Sequence, residues 1–522
     1  MEKVDFLRKK YPKFIYEKYS YEISGNNLEI FFDFRVEPNI SFKPRVTIEN
    51  IDKSQMEKVE DRALNNLIFN LGLMEIPSYW KATCSPEIEI KAGPLSMKAS
   101  PSSPSSTNLR FVSMNQEQID YPSIAKSGDE RKFIDYPSIA KGGDERKFID
   151  WWKDLIINGM GQFFYENKID FHQPNFLKIN RLQRPVLCKT DRGPSSDQTS
   201  NQILVPISGG KDSVVTLEIL KKAKKSINCF SLNPTEAAKK IMKIVGFNNP
   251  IIVKRTIDPK LLELNRRGFL NGHTPFSAYL AFLSVLVAVL FEYKYIAFSN
   301  ERSSNEGNVK YLGKIINHQW SKSFEFEKKF RDYSKKYLAK KIEYFSFLRP
   351  FYEIQIAKLF SKYPKYFNAF LSCNVAYQTA SGTKLPAKKW CGKCSKCLFT
   401  WACLYPFVNE KELLKIFGKN LFENKKLLPV MLELIGVGSP RRFKPFECVG
   451  TKKENLIAVY LSWKKCGEQF SAELPFLLKY FEEKILPKYQ NLKKESEKTL
   501  SSWNNQNNLP KEFEEILKKM VS

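Results

Sequence analysis

Ile203-Leu204-Val205-Pro206-Ile207-Ser208-Gly209-Gly210-Lys211-Asp212-Ser213-Val214-Val215-Thr216-Leu217-Glu218-Ile219-Leu220 is the stretch on which the reading of this chain turns. An apolar run enters a turn built on two adjacent glycines, and a helix-like apolar pattern follows at once, so the order is strand, turn, helix. Paired glycines permit positive φ and close backbone approach to an anion. The helix beyond them presents unpaired N–H groups and the positive end of its dipole. Ser208, Lys211 and Ser213 add side-chain donors, and the whole reads as a phosphate-binding turn. It is not the kinase-type loop, which needs Ser or Thr where this chain has Asp212, and the GxGxxG of dinucleotide sites is missing.

Outward from the turn, strands and helices alternate. Strands are expected near 202–207, 227–232, 250–255 and 294–299, and helices near 213–225, 235–245 and 275–292. This βαβ rhythm predicts an α/β fold with a doubly wound, Rossmann-like parallel sheet. Ligands of such sheets lie at the carboxyl ends of the strands. Ser208–Ser213, Ser231-Leu232-Asn233 and Ser299-Asn300-Glu301-Arg302 are therefore expected to converge on one crevice. The core is assigned to 151–345. Before it come a small α+β domain at 1–95, with strands at Tyr21–Ile23, Leu28–Phe34 and Arg45–Ile48 and a helix near 54–71, and an insertion at 96–150. That insertion opens on a Ser/Pro-rich linker and carries IDYPSIAKSGDERKF (119–133) repeated at 134–148 with a single Ser127/Gly142 difference. Such near-identity points to a recent duplication in a tolerated surface loop. A Cys-rich, mostly helical region is read at 346–450 and a helical extension at 451–522.

Five hundred and twenty-two residues are too many for one ordinary core. The formal charge of +28 asks for an acidic partner, and RNA is one class. Residues 451–522, however, hold 13 Lys against 10 Glu, a mixed solvated surface and not a basic tail, and an anionic small molecule would serve as well. The N-terminus has no hydrophobic leader, which predicts a cytoplasmic protein. The longest apolar run, Phe276 to Phe291, is shorter than the roughly 20 residues of a membrane span and reads as a buried helix.

Cys373, Cys391, Cys394 and Cys397 are spaced for a tetrahedral Zn²⁺ site of structural type, with free thiols and an iron–sulfur cluster as the other options. Lys389, Lys393 and Lys396 flank the site and keep a redox role open. Of only three histidines, His172, His273 and His318, the last two sit in polar segments next to expected element ends. The loop Ser299–Asn308, dense in hydrogen-bonding groups, reads as contacting substrate and metal.

The six residues Ser208–Ser213 resemble the SGGxDS signature of N-type ATP pyrophosphatases, and the cysteine spacing resembles the zinc knuckle of that superfamily's deazaguanine-forming members. The first resemblance implies ATP cleaved between its α- and β-phosphates, with Asp212 holding Mg²⁺ or Mn²⁺. Several other segments add to SGGKDS: Asn271-Gly272-His273, SNERSSNEGN, Asn317-His318-Gln319, Leu348-Arg349-Pro350, Ser372-Cys373-Asn374, WCGKCSKC at 390–397 and Lys444–Gly450. Together they resemble the UDP-N-acetylmuramoyl-L-alanyl-L-glutamate epimerase family over roughly residues 10–95 and 150–450. The insertion and the chain after about 455 fall outside the resemblance.

That resemblance implies ATP-dependent inversion of the terminal glutamate of a nucleotide-sugar dipeptide through an acyl adenylate, releasing AMP and diphosphate, in peptidoglycan synthesis. Ser208, Gly209, Gly210, Lys211, Asp212 and Ser213 would then hold the nucleotide. His273, Glu301, Glu306 and His318 form the pool of proton-transfer groups, with Cys373 as an alternative if it is not a metal ligand. Asn300, Arg302 and Arg349 would bind substrate. The alternative is a tRNA-modifying ATP pyrophosphatase that adenylates a nucleobase.

Overall fold

A computed structural model describes residues 2–92, 143–181, 202–377, 389–437, 444–469 and 473–521. Most of the tandem repeat and its linker lie outside the described residues. Thirteen strands are described: β1 Lys13–Ser24, β2 Asn27–Val36, β3 Ile40–Phe42, β4 Arg45–Glu49, β5 Glu87–Ile90, β6 Lys178–Arg181, β7 Ile203–Pro206, β8 Ile227–Leu232, β9 Ile251–Thr256, β10 Tyr295–Phe298, β11 Val309–Tyr311, β12 Lys314–Ile316 and β13 Glu343–Ser346. All but the β11–β12 hairpin join one sheet in the order β13-β10-β7-β8-β9-β4-β2-β1-β5-β6, with β3 on β2.

From β13 to β9 every neighbouring pair is parallel, as the βαβ rhythm predicts. Alternate residues of these strands enter two different cores, Leu204, Ile296 and Tyr344 one and Ile203, Ala297 and Phe345 the other. Helices therefore cover both faces. The helix Phe276–Leu290, apolar on every side, lies in the first core, and Lys211–Lys222, Glu353–Phe360 and Ser395–Leu404 contribute to the second.

The sheet is mixed, not parallel throughout. β4 runs antiparallel to β9, pairing Arg45 with Thr256 and Ile48 with Val253, and the N-terminal strands continue the core's own sheet. An ion pair reinforces the join: Arg255 on β9 donates to both oxygens of Glu75, at 2.7 and 2.5 Å. Glu75 lies on the helix Asp61–Trp80, which extends well past the sequence expectation of 54–71. β2 buries every second residue, Leu28, Ile30, Phe32, Phe34 and Val36, as its pattern foretells. β1 reaches further than Tyr21–Ile23 because its first half is buried without alternation, which hides the strand period.

Among the described residues no helix is long and apolar enough to cross a membrane. The C-terminal segment packs across the outer strands: Phe513, fully buried, sets its ring 5.0 Å from that of Tyr295 and 4.9 Å from that of Phe345.

Candidate active site

β8 and β9 lie to one side of β7, while β10 and β13 lie to the other, so the loops after β7 and β10 flank a switch point in the sheet order. The loop after β7 is Ser208–Gly210, and Gly210 caps the helix Lys211–Lys222. Gly209 has φ +102°, and a Cβ there would lie 2.8 Å from the Ala237 Cβ and 3.0 Å from the Ala238 nitrogen, so only glycine fits. Its carbonyl accepts the Leu371 N–H at 2.9 Å, and the Thr235 hydroxyl donates to the Ser208 carbonyl at 3.2 Å. The Ser213 hydroxyl closes the turn on the Gly210 carbonyl at 3.0 Å.

Asp212 from this helix, Glu301 from the loop after β10 and Glu353 at the start of the helix Glu353–Phe360 that follows β13 bring carboxylate oxygens within 4.8 Å of one another. The Lys211 ammonium, almost fully buried, bonds both Asp212 and Glu353. Burial works against that charge, but the two carboxylates more than offset it and raise the lysine's pKa. Glu353 is held below the usual carboxylate range, burial being outweighed by Lys211 and Lys396. Burial, with Glu353 and Asp212 beyond it, pushes Glu301 up to about 7. One Glu301 oxygen is buried with no hydrogen-bond partner among the described residues. Three convergent carboxylates with a free oxygen are a hard-donor set that fits Mg²⁺ or Mn²⁺.

Beside the acids stands a group of bases. The rings of His273 and His318 lie 4.4 Å apart. His318 Nδ1 is 2.5 Å from the Gln162 carbonyl oxygen, whose amide is oriented by a 2.7 Å bond from its nitrogen to Glu166. Nδ1 therefore carries the proton and Nε2 keeps its lone pair. Burial, then Lys322 and Lys444, pulls His318 down to about 3, and burial followed by His318 lowers His273 as well. Both rings are neutral at neutral pH. Lys322 lies 3.3 Å from the Cys448 sulfur, and Cys448 with Glu301 raises its pKa against burial.

The other residues expected from sequence are placed as follows. Glu306 accepts the Lys452 N–H at 3.1 Å and pairs with Lys444 at 3.7 Å, outside the carboxylate trio. Asn300 donates to the Ser346 hydroxyl at 3.1 Å. Arg302 lays its guanidinium 4.3 Å from the centre of the Tyr352 ring. Arg349 corrects the expectation of a substrate-binding fork. It is fully buried, and its donors are taken by Glu327, Ser304, Ser346 and the carbonyls of Glu301 and Lys322, so it fixes the loops around the site from within. His172 is exposed, with Asp170 beside it. Sequence reading missed Glu353 and Lys322 and gave Cys448 no part. A strand placed at 343–346 would have marked the start of the next helix, and with it Glu353, as a third segment at the carboxyl edge.

The four cysteines come together. Their Sγ atoms stand 3.9 Å (Cys373–Cys394), 3.6 Å (Cys391–Cys397), 3.5 Å (Cys394–Cys397) and 3.7 Å (Cys373–Cys397) apart. Sulfurs at about 2.3 Å from a tetrahedral zinc ion stand about 3.8 Å from one another, so the set fits zinc and is too wide for disulfides. Gly392, at φ +64°, makes the knuckle's turn. The cluster adjoins the glycine turn Ser208–Gly210, since Leu371, two residues before Cys373, holds Gly209.

Comparison with known proteins adds two family matches, to the MurL N-terminal domain over residues 138–347 and to the MurL C-terminal domain over residues 369–480. Three proteins named UDP-N-acetyl-alpha-D-muramoyl-L-alanyl-L-glutamate epimerase are similar in sequence. The Micromonospora sp. protein is 33% identical over 305 residues, 58% of this chain and 65% of its own. That of Xanthomonas oryzae pv. oryzae is 32% identical over 322 residues, 60% and 68%. That of Salinispora tropica is 32% identical over 311 residues, 59% and 65%. The chain thus spans about two thirds of the length of these relatives. The C-terminal match runs on to 480, past the limit near 455 read from motifs.

Proposed function

The chain belongs to the UDP-N-acetyl-alpha-D-muramoyl-L-alanyl-L-glutamate epimerase family, and from that premise we propose that it inverts the terminal L-glutamate of UDP-N-acetylmuramoyl-L-alanyl-L-glutamate, cleaving ATP to AMP and diphosphate. The observation that carries the proposal is a junction: three convergent carboxylates beside a helix N-terminus are linked to a buried neutral imidazole through Lys322, whose charge acts on both Glu301 and His318.

The chemistry follows from a difficulty. Removing the α-proton of a carboxylate would place a carbanion beside an existing negative charge. Transfer of AMP to the α-carboxylate makes an acyl adenylate, whose neutral carbonyl delocalises the carbanion as an enolate. In this reading Ser208–Ser213 receives the β- and γ-phosphates at the helix N-terminus, as in N-type ATP pyrophosphatases. Lys211 balances Asp212 and Glu353, so that the acids converge without mutual repulsion. Asp212, Glu301 and Glu353 would hold a divalent cation, which would neutralise charge on the phosphates. His318, neutral and with Nε2 unprotonated, takes a proton from the α-carbon. Proton return to the opposite face inverts the centre, and hydrolysis of the adenylate releases product. Zinc at the four cysteines is structural, because four protein thiolates leave no open position.

The test is direct. The purified chain with ATP, Mg²⁺ and the L-glutamyl substrate is expected to yield D-glutamyl product on chiral analysis, with AMP and diphosphate formed. Formation of ADP, or AMP release driven by tRNA and not by the nucleotide sugar, would sink the proposal.

A further inference from the structure

Inversion needs a proton-transfer group on each face of the α-carbon, and His318 accounts for one. Cys448 stands 3.3 Å from the Lys322 ammonium, and it is partly exposed, unlike the buried Cys84, Cys229, Cys403 and Cys466. Its segment is pinned from both sides. The Asn308 amide donates to the carbonyls of Lys444, at 3.2 Å, and Pro445, at 2.7 Å. On the other side the Lys396 N–H donates to Glu447 at 2.9 Å, and the Lys396 ammonium bonds the Cys448 carbonyl while lying 3.7 Å from Glu353. One lysine thus ties the backbone of Cys448 to the carboxylate trio.

Two buried polar groups that feel Cys448 electrostatically are left with bonding capacity. The Glu301 carboxyl, 3% exposed, and the Lys444 ammonium, 1% exposed, each have an atom without a hydrogen-bond partner among the described residues. Unused buried donors and acceptors around a partly open thiol mark a place for a polar ligand. Lys322, beside Cys448, also lowers the pKa of His318, so one cation acts on both groups.

We propose that Cys448, beside Lys322, is the second proton-transfer group of the inversion, acting on the face of the α-carbon opposite His318. This rests on the epimerase reading above. In one direction the neutral His318 takes the α-proton at Nε2 as C–H breaks, and the C–H electron pair moves into the acyl carbonyl to give the enolate. The Cys448 S–H on the other face then gives its proton to carbon, and the cycle closes as the imidazolium passes its proton to solvent and the sulfur takes one up. No redox change occurs, and the Lys322 ammonium stabilises the negative charge that forms on sulfur.

The experiment uses Cys448→Ala and Cys448→Ser in the full chain with ATP and Mg²⁺ in deuterated water, with the L-glutamyl and D-glutamyl nucleotide sugars in separate reactions. Both variants are expected to keep substrate-dependent AMP release while inversion falls about a hundredfold or more. α-Deuterium should then enter only one of the two diastereomers, with retained configuration. Inversion close to the parent rate, deuterium entering both diastereomers, or loss of AMP release in both variants would overturn the assignment. A parent enzyme that fails to release AMP and to exchange the α-proton takes the epimerase reading down with it, so the two failures are distinguishable.

Discussion

Lys211 carries a charge almost wholly removed from water, and two carboxylates share it. Removing one partner of a buried ion pair costs about 3–5 kcal/mol. Lys211→Ala should therefore lower the urea midpoint as well as abolish AMP formation; an unchanged midpoint would contradict the placement. His318 makes a prediction about pH. Its folded value of about 3 lies below the ordinary 6.5, so as pH falls the unfolded chain takes up the proton first. The stability tied to this group is whole above pH 6.5 and is lost as pH falls toward 3, with a slope of up to about 1.4 kcal/mol per pH unit. His318→Gln should flatten the fall in urea midpoint between about pH 7 and pH 5; an unaltered slope would show that the ring is not buried neutral. Asp212, Glu301 and His318 were legible because each lies in a polar segment at an element's end. Glu353 and Lys322 were not, since the contact between Lys211 and Glu353 spans 142 residues and exists only once the sheet order is set. Arg349 was legible as important but not as enclosed, because burial of a charge is decided by partners such as Glu327 that no local pattern announces.

The glycine turn Ser208–Gly210 and the cysteine cluster are tied into one element. Leu371 holds the Gly209 carbonyl, and Cys373 follows two residues later. Zinc loss should loosen the turn as well as the knuckle. Metal analysis is expected to find one zinc per chain, and Cys397→Ser should lose it together with tight ATP binding. A zinc-free variant that binds ATP as the parent does would separate the two. The elements around the turn, β7 to β10 with their helices, were readable because apolar runs alternate with amphipathic or fully apolar helices between polar loops. The N-terminal strands were read as standing apart, since nothing in Arg45–Glu49 shows that β9 is its neighbour. Strand pairing is a non-local choice, and here it turned a parallel sheet into a mixed one.

Among the described residues one large sheet carries the candidate site, and the C-terminal segment packs across its strands β10 and β13. Phe513, packed on Tyr295 and Phe345, is the segment's anchor, and Phe513→Ala should cost about 3–5 kcal/mol in urea unfolding. A negligible change would mean that the segment does not stabilise the sheet. Function at this scale is a claim about what ATP is used for: it acidifies a carbon, and no new bond survives in the product. Wash-in of deuterium at the glutamate α-carbon, followed with and without ATP·Mg²⁺, tests that claim most directly. The account predicts α-deuterium only when ATP is present and being converted to AMP. Exchange at the same rate without ATP, or AMP release with no α-deuterium, would contradict it.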